Sequence, residues 1–80
     1  ALKYQLNRLR LLQELHGDNP HPDIAIALND LGSTYQGFSN LSLAIDYFER
    51  ALHIYKLYYG EIPHPDIGGA LNNLAGVYCK

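Results

Sequence analysis

One stretch of this chain occurs twice. HPDIAIALNDLGSTY at positions 21–35 returns as HPDIGGALNNLAGVY at 64–78, a shift of 43 residues, with nine of the fifteen positions identical. The flanks keep the register, Gly17 and Pro20 returning as Gly60 and Pro63. Self-similarity at a period of about 20–50 residues marks a repeat architecture, in which each copy buries its apolar face against its neighbours. Every other reading of the sequence is subordinate to that one.

The copies read as helices. In residues 1–16, Leu2, Leu6, Leu9 and Leu12 recur at helical spacing and Leu11 and Leu15 widen the stripe. Gly17 stands where a left-handed residue is wanted past a helix end. Each repeated stretch opens with His-Pro-Asp. Proline suits a first helical position, and Asp23 and Asp66 set negative charge against the positive end of the helix dipole. The spacing predicts helices over 1–16, 22–37, 41–59 and 64–79, no strand, and Asn40 or Ser39 as the cap of the third helix. Leu28, Leu31, Tyr35, Ala44, Phe48, Ala51, Leu71 and Leu74 are the expected core.

Eighty residues allow one small domain. A net charge of −2 gives no electrostatic reason to expect nucleic acid or an anionic membrane. There is no apolar run long enough to span a bilayer and no signal-peptide pattern, and the initial Ala points to an excised fragment. Cys79, the single cysteine, has no internal disulfide partner and favours a reducing compartment, so a cytoplasmic location is expected.

The pattern Leu28-x2-Leu31-Gly32-x2-Tyr35 followed by Ala44-x3-Phe48, with Ala51 beyond it, resembles the tetratricopeptide repeat; Leu71-x2-Leu74-Ala75-x2-Tyr78 begins a second copy. The resemblance implies an all-α fold of helix-turn-helix repeats forming part of a right-handed superhelical solenoid. Residues 1–20 would supply the second helix of a preceding repeat, 21–63 one complete repeat, and 64–80 the first helix of the next. The long period and the His-Pro-Asp openings resemble the kinesin light chain type, although the loop here, G-x-x-P-H-P-D, is one residue longer than in that type. In register, Gln5 and Arg8 stand where the complete repeat has Phe48 and Ala51.

For function the resemblance implies a non-catalytic scaffold that holds a peptide or partner helix in a concave groove lined by the first helix of each repeat. The groove residues carried over are Ile26, Asn29, Asp30, Ser33 and Gln36, then Asn72, Asn73 and Gly76, with Gly69 and Cys79 in the same register. Asn29 and Asn72 each offer a donor and an acceptor, enough to bond a peptide backbone without reading its sequence. The first helix of the complete repeat brings Asp23 and Asp30 and no cation, so neutral or mildly basic peptides are expected to bind better than acidic ones.

Sharper chemistry is weighed against this and set aside. His-Pro-Asp also marks J-domain co-chaperones, which carry it once in a hairpin loop; here it occurs twice and opens a helix each time. His and Asp copies on neighbouring turns of a solenoid imply no four-ligand metal cluster. Cys79 has no companion in a nucleophile pattern. No catalytic residue, metal or cofactor is expected. The rival classes are a structural or oligomerisation spacer and a regulatory module of a larger signalling protein. End-to-end self-association is a further expectation, because the first and last helices are complementary halves of one repeat.

Overall fold

The computed structural model describes residues 2–17, 19–60 and 62–79. They form four helices, α1 (Leu2–His16), α2 (Pro22–Gly37), α3 (Leu41–Tyr59) and α4 (Pro65–Tyr78), with no strand among the described residues. The expected spans hold to within a residue; Ala1 lies outside the described residues, and His64 caps α4 rather than opening it. Each helix packs on the next in sequence. A lighter contact joins α2 to α4, whereas the backbones of α1 and α3 stay further apart, so the helices follow a zigzag with α2 and α4 side by side.

Local chemistry sets each boundary. Gly17 and Gly60 take φ of +63° and +67°, conformations a side chain resists, and their N–H groups close the preceding helices on Gln13 and Lys56. Asn40 caps α3, its Oδ1 accepting from the Leu43 N–H at 3.4 Å. At the start of α2 and α4 the cap is a histidine. Nδ1 of His21 accepts from the Asp23 N–H, and Nδ1 of His64 from that of Asp66, both at 3.1 Å, with proline next in line.

The core runs between α2 and α3 and on to both neighbours. Leu9, Ile24, Ala27, Leu28, Leu31, Ala51, Tyr55 and Ala70 share one buried cluster, and Ala44, Phe48, Leu74 and Val77 share another. Gly32 is what lets the central pair close. A Cβ built there would stand 2.7 Å from two carbons of the Phe48 ring. Tyr35 is half-buried rather than buried, its ring stacked on Tyr47 at 5.4 Å between centroids.

Leu71 corrects the expected core. It is 49% exposed, although its counterpart Leu28 is 1% exposed. Leu28 shares a stripe with Gly32 and Tyr35, which meet α3; the same stripe of α4, Leu71, Ala75 and Tyr78, is exposed, with the Tyr78 hydroxyl held by Glu49.

The departure at Gln5 has a physical answer. Phe48 clusters with Val77 of the following helix, and in the other copy Gln5 stands beside Thr34, whose hydroxyl donates to Gln5 Oε1 at 2.8 Å. An apolar pair is replaced by a polar pair that satisfies itself, which keeps a part-buried contact from costing stability.

Burial pushes the Tyr55 hydroxyl from its ordinary 10.0 up to about 12, with the Asp66 carboxylate as the next cause. Tyr59 is raised by partial desolvation and its hydrogen bond to Asp66, and Tyr78 chiefly by its hydrogen bond to Glu49. A folded-state pKa above the unfolded one means that the folded chain holds the proton more tightly. That contribution is complete below about pH 10 and is lost as pH rises through about 12. Helical circular dichroism is therefore expected to fall within that window together with the rise of tyrosinate absorbance. Tyr55→Phe should shift the loss to higher pH; an unchanged midpoint would remove Tyr55 from this account.

Candidate functional site

The groove residues expected from the repeat register fall on one open face built from α2 and α4. Ile26, Asn29, Ser33 and Gln36 are spaced to share a stripe of α2, Ile26 and Ser33 exposed and Asn29 and Gln36 half-buried. On α4 the corresponding stripe is Gly69, Asn72, Gly76 and Cys79, all exposed.

Two contacts organise this face, and neither follows from the spacing. Asn73 Nδ2 donates to Asn29 Oδ1 at 3.4 Å, a long hydrogen bond that joins the two helices. Asn29 is thus linked to Asn73 and not to its repeat counterpart Asn72, which forms no side-chain hydrogen bond among the described residues. Asp30 meets Arg8 of α1 at 3.3 Å. Both groups are about half exposed, so the pair is worth about 0–1 kcal/mol. Its larger effect is on charge, since it offsets the acidic group expected to favour basic ligands.

Three glycines of α4, Gly68, Gly69 and Gly76, carry an energetic cost. Glycine inside a helix costs about 0.5–1 kcal/mol relative to alanine. Gly32 has the Phe48 ring to justify that cost, but a Cβ at Gly69 or Gly76 would meet nothing within 4 Å. Their backbone lies bare on either side of Asn72.

A second cluster sits where α1 meets α2. The imidazoles of His16 and His21 stack at 3.8 Å and 11°, and Nε2 of His16, buried and without a hydrogen-bond partner among the described residues, lies 3.9 Å from Asp23. Ligand atoms of His16, His21 and Asp23 all fall within 4.8 Å of one another. A metal needs lone pairs that converge on one point about 2.0–2.1 Å from each nitrogen. Parallel stacked rings hold their in-plane lone pairs side by side, and His21 Nδ1 is occupied by the cap. The other copy explains the arrangement. There Tyr59 takes the place of His16, stacks on His64 at 3.8 Å and 10°, and donates to Asp66 at 3.0 Å. Both clusters brace a histidine cap, with an aromatic residue closing the preceding helix. The doubled His-Pro-Asp carried that signal; the aromatic one residue before each glycine, His16 and Tyr59, completes it.

Cys79 caps the end of α4 and is exposed. No helix among the described residues is long and apolar enough to cross a membrane.

No curated protein and no solved structure matches the chain. A family model described as tetratricopeptide repeat matches residues 1–56. Repeats of this family generally mediate protein–protein interaction without catalysis, and the match spans the Gln5–Thr34 contact, the Gly32–Phe48 contact and most of α3. The chain belongs to the tetratricopeptide repeat family.

Proposed function

We propose that the open face of α2 and α4 binds an extended peptide through its backbone. The observation that carries this reading is the stripe of Gly69, exposed Asn72 and Gly76, where a Cβ at either glycine, as at Gly68 beside them, would meet no described residue. A helix that gives up about 0.5–1 kcal/mol at each of two positions on one stripe offers close approach to its backbone. Asn72, Ser33 and Gln36 supply donors and acceptors along the same face, and Ile26 an apolar contact. With Asp30 offset by Arg8, the preferred peptide is neutral, and its binding changes little with salt.

A screen of extended peptides of varied charge tests this. Gly69→Ala and Gly76→Ala should each stabilise the chain by about 0.5–1 kcal/mol in denaturant unfolding, yet weaken the best neutral peptide, as should Asn72→Ala. Tight, salt-sensitive binding of an acidic peptide would overturn the reading, as would a binder indifferent to all three substitutions.

In this reading residues 21–63 make one complete repeat, 1–20 the second helix of a preceding one and 64–80 the first helix of the next. The long period and histidine caps support a kinesin light chain-like type, and the lone thiol a cytoplasmic setting. A second reading, self-association through the bare faces of α1 and α4, is favoured by the exposure of Tyr4, Leu11 and Leu15 on one and Leu71 and Tyr78 on the other.

A further inference from the structure

The two histidine caps share one geometry and differ in one ring. At the start of α2, His21 Nδ1 accepts from the Asp23 N–H, and its ring stacks on His16 at 3.8 Å. At the start of α4, His64 Nδ1 accepts from the Asp66 N–H, and its ring stacks on Tyr59 at 3.8 Å. A ring nitrogen that accepts a hydrogen bond carries no proton, so each cap exists only while its imidazole is neutral. Imidazole is the side chain that ordinarily changes charge between about pH 5 and 8. The stacked neighbour at α4 is a tyrosine, uncharged across that range. At α2 it is a second imidazole.

We infer that the α1–α2 joint is an acid-sensitive link: protonation of both His16 and His21 sets two imidazolium rings face to face and loosens α1 from the start of α2, while the α3–α4 joint, with one imidazole, holds. Asp23 faces both rings, 3.9 Å from His16 Nε2 and 3.7 Å from His21 Nδ1, and offsets one positive charge. Asp66, 3.5 Å from His64 Nδ1, meets a single charge. From α3 the first joint receives Tyr58, its ring 6.0 Å from that of His21 and uncharged. Asp18 and Glu61, outside the described residues, share a register position in the two loops, so the sequence gives each joint the same further acid. What separates the joints is therefore His16 against Tyr59. The Tyr59 hydroxyl donates to Asp66 at 3.0 Å, whereas His16 Nε2 is buried without a hydrogen-bond partner among the described residues, and a charge placed there is held away from water. Proton linkage gives the sign. The unfolded chain takes up protons on the two imidazoles independently, the folded joint only against their mutual repulsion, so stability falls as pH falls. Loosening also parts Arg8 from Asp30, 3.3 Å apart across the same two helices, and leaves that carboxylate uncompensated on the open α2–α4 face.

Thermal melts followed by circular dichroism at one protein concentration test this with two exchanged variants. His16→Tyr gives the α1–α2 joint the ring of the other copy, and Tyr59→His does the reverse. The midpoint of the unsubstituted chain should fall by about 4–8 °C between about pH 8 and 5. His16→Tyr should remove about half of that fall, the rest belonging to the caps themselves, and Tyr59→His should steepen it by a similar amount. His53→Gln, at an exposed position of α3, should leave it unchanged. A midpoint that stays flat over this range, a fall undiminished by His16→Tyr, or one removed by His53→Gln overturns the proposal. Should His16→Tyr fail to fold, Tyr59→His decides alone: a fall no steeper than that of the unsubstituted chain overturns it as well.

Discussion

Phe48→Ala is expected to abolish the cooperative thermal transition of the chain. Phe48 is fully buried and is shared by three helices: its ring covers Gly32 of α2, and it clusters with Leu74 and Val77 of α4. Truncating a buried phenylalanine costs about 3–5 kcal/mol through lost transfer free energy and the cavity left behind. At about 0.05–0.15 kcal/mol per residue, a chain of this size has about 4–12 kcal/mol in total, so the truncation removes a large share of it. Repeats stabilise one another through their interfaces, so losing a ring shared by α2, α3 and α4 weakens two interfaces together. Phe48→Leu keeps most of the volume and should retain a cooperative transition at a lower midpoint. Circular dichroism melts at one fixed protein concentration make the comparison, because self-association would move the midpoint by mass action. A Phe48→Ala chain that melts cooperatively near the original temperature would show that Phe48 does not bind the helices into one unit.

The same residue marks how far the sequence could be read. Ala44-x3-Phe48 facing Leu31-Gly32-x2-Tyr35 places the α2–α3 pair because small and large residues must interlock there, and periodicity reports that directly. Leu71 shows the limit. Periodicity identifies an apolar stripe without saying which element covers it, so Leu28 and Leu71 look alike in sequence while only the first is buried. The leucines of α1 behave similarly, with Leu9 buried and Leu6, Leu11 and Leu15 exposed. On the open face, register placed Asn29, Ser33, Gln36 and Asn72 on common stripes. The partnerships of Asn29 with Asn73 and of Arg8 with Asp30 depend on the rotation and offset of neighbouring helices, which spacing along one helix does not encode. The histidine stacks were hidden for another reason: His16 and Tyr59 differ in type, and only their equal geometry on His21 and His64 reveals a shared role.

Gly32→Ala should destabilise the chain by about 1–3 kcal/mol, the cost of forcing an extra methyl into a packed contact. Helix propensity points the other way, alanine being favoured over glycine by about 1 kcal/mol in a helix interior. Sterics decide the sign. The new Cβ would lie 2.7 Å from ring carbons Cδ1 and Cε1 of Phe48, and a fully buried ring has no open space into which to retreat. Making the same change after Phe48→Leu should cost less, because the branched side chain no longer presents a flat ring to position 32. The difference between the two costs, read from urea unfolding at matched protein concentration, is the coupling of the pair and is expected to be about 1 kcal/mol or more. Position 75 supplies the internal control. Ala75 is the repeat counterpart of Gly32 but is exposed, and its stripe meets no Phe48-like ring. Ala75→Gly should therefore lower stability by about 1 kcal/mol through propensity alone. A stabilising Gly32→Ala would show that the ring yields, and glycine at this position would then need an explanation other than the close approach of α3.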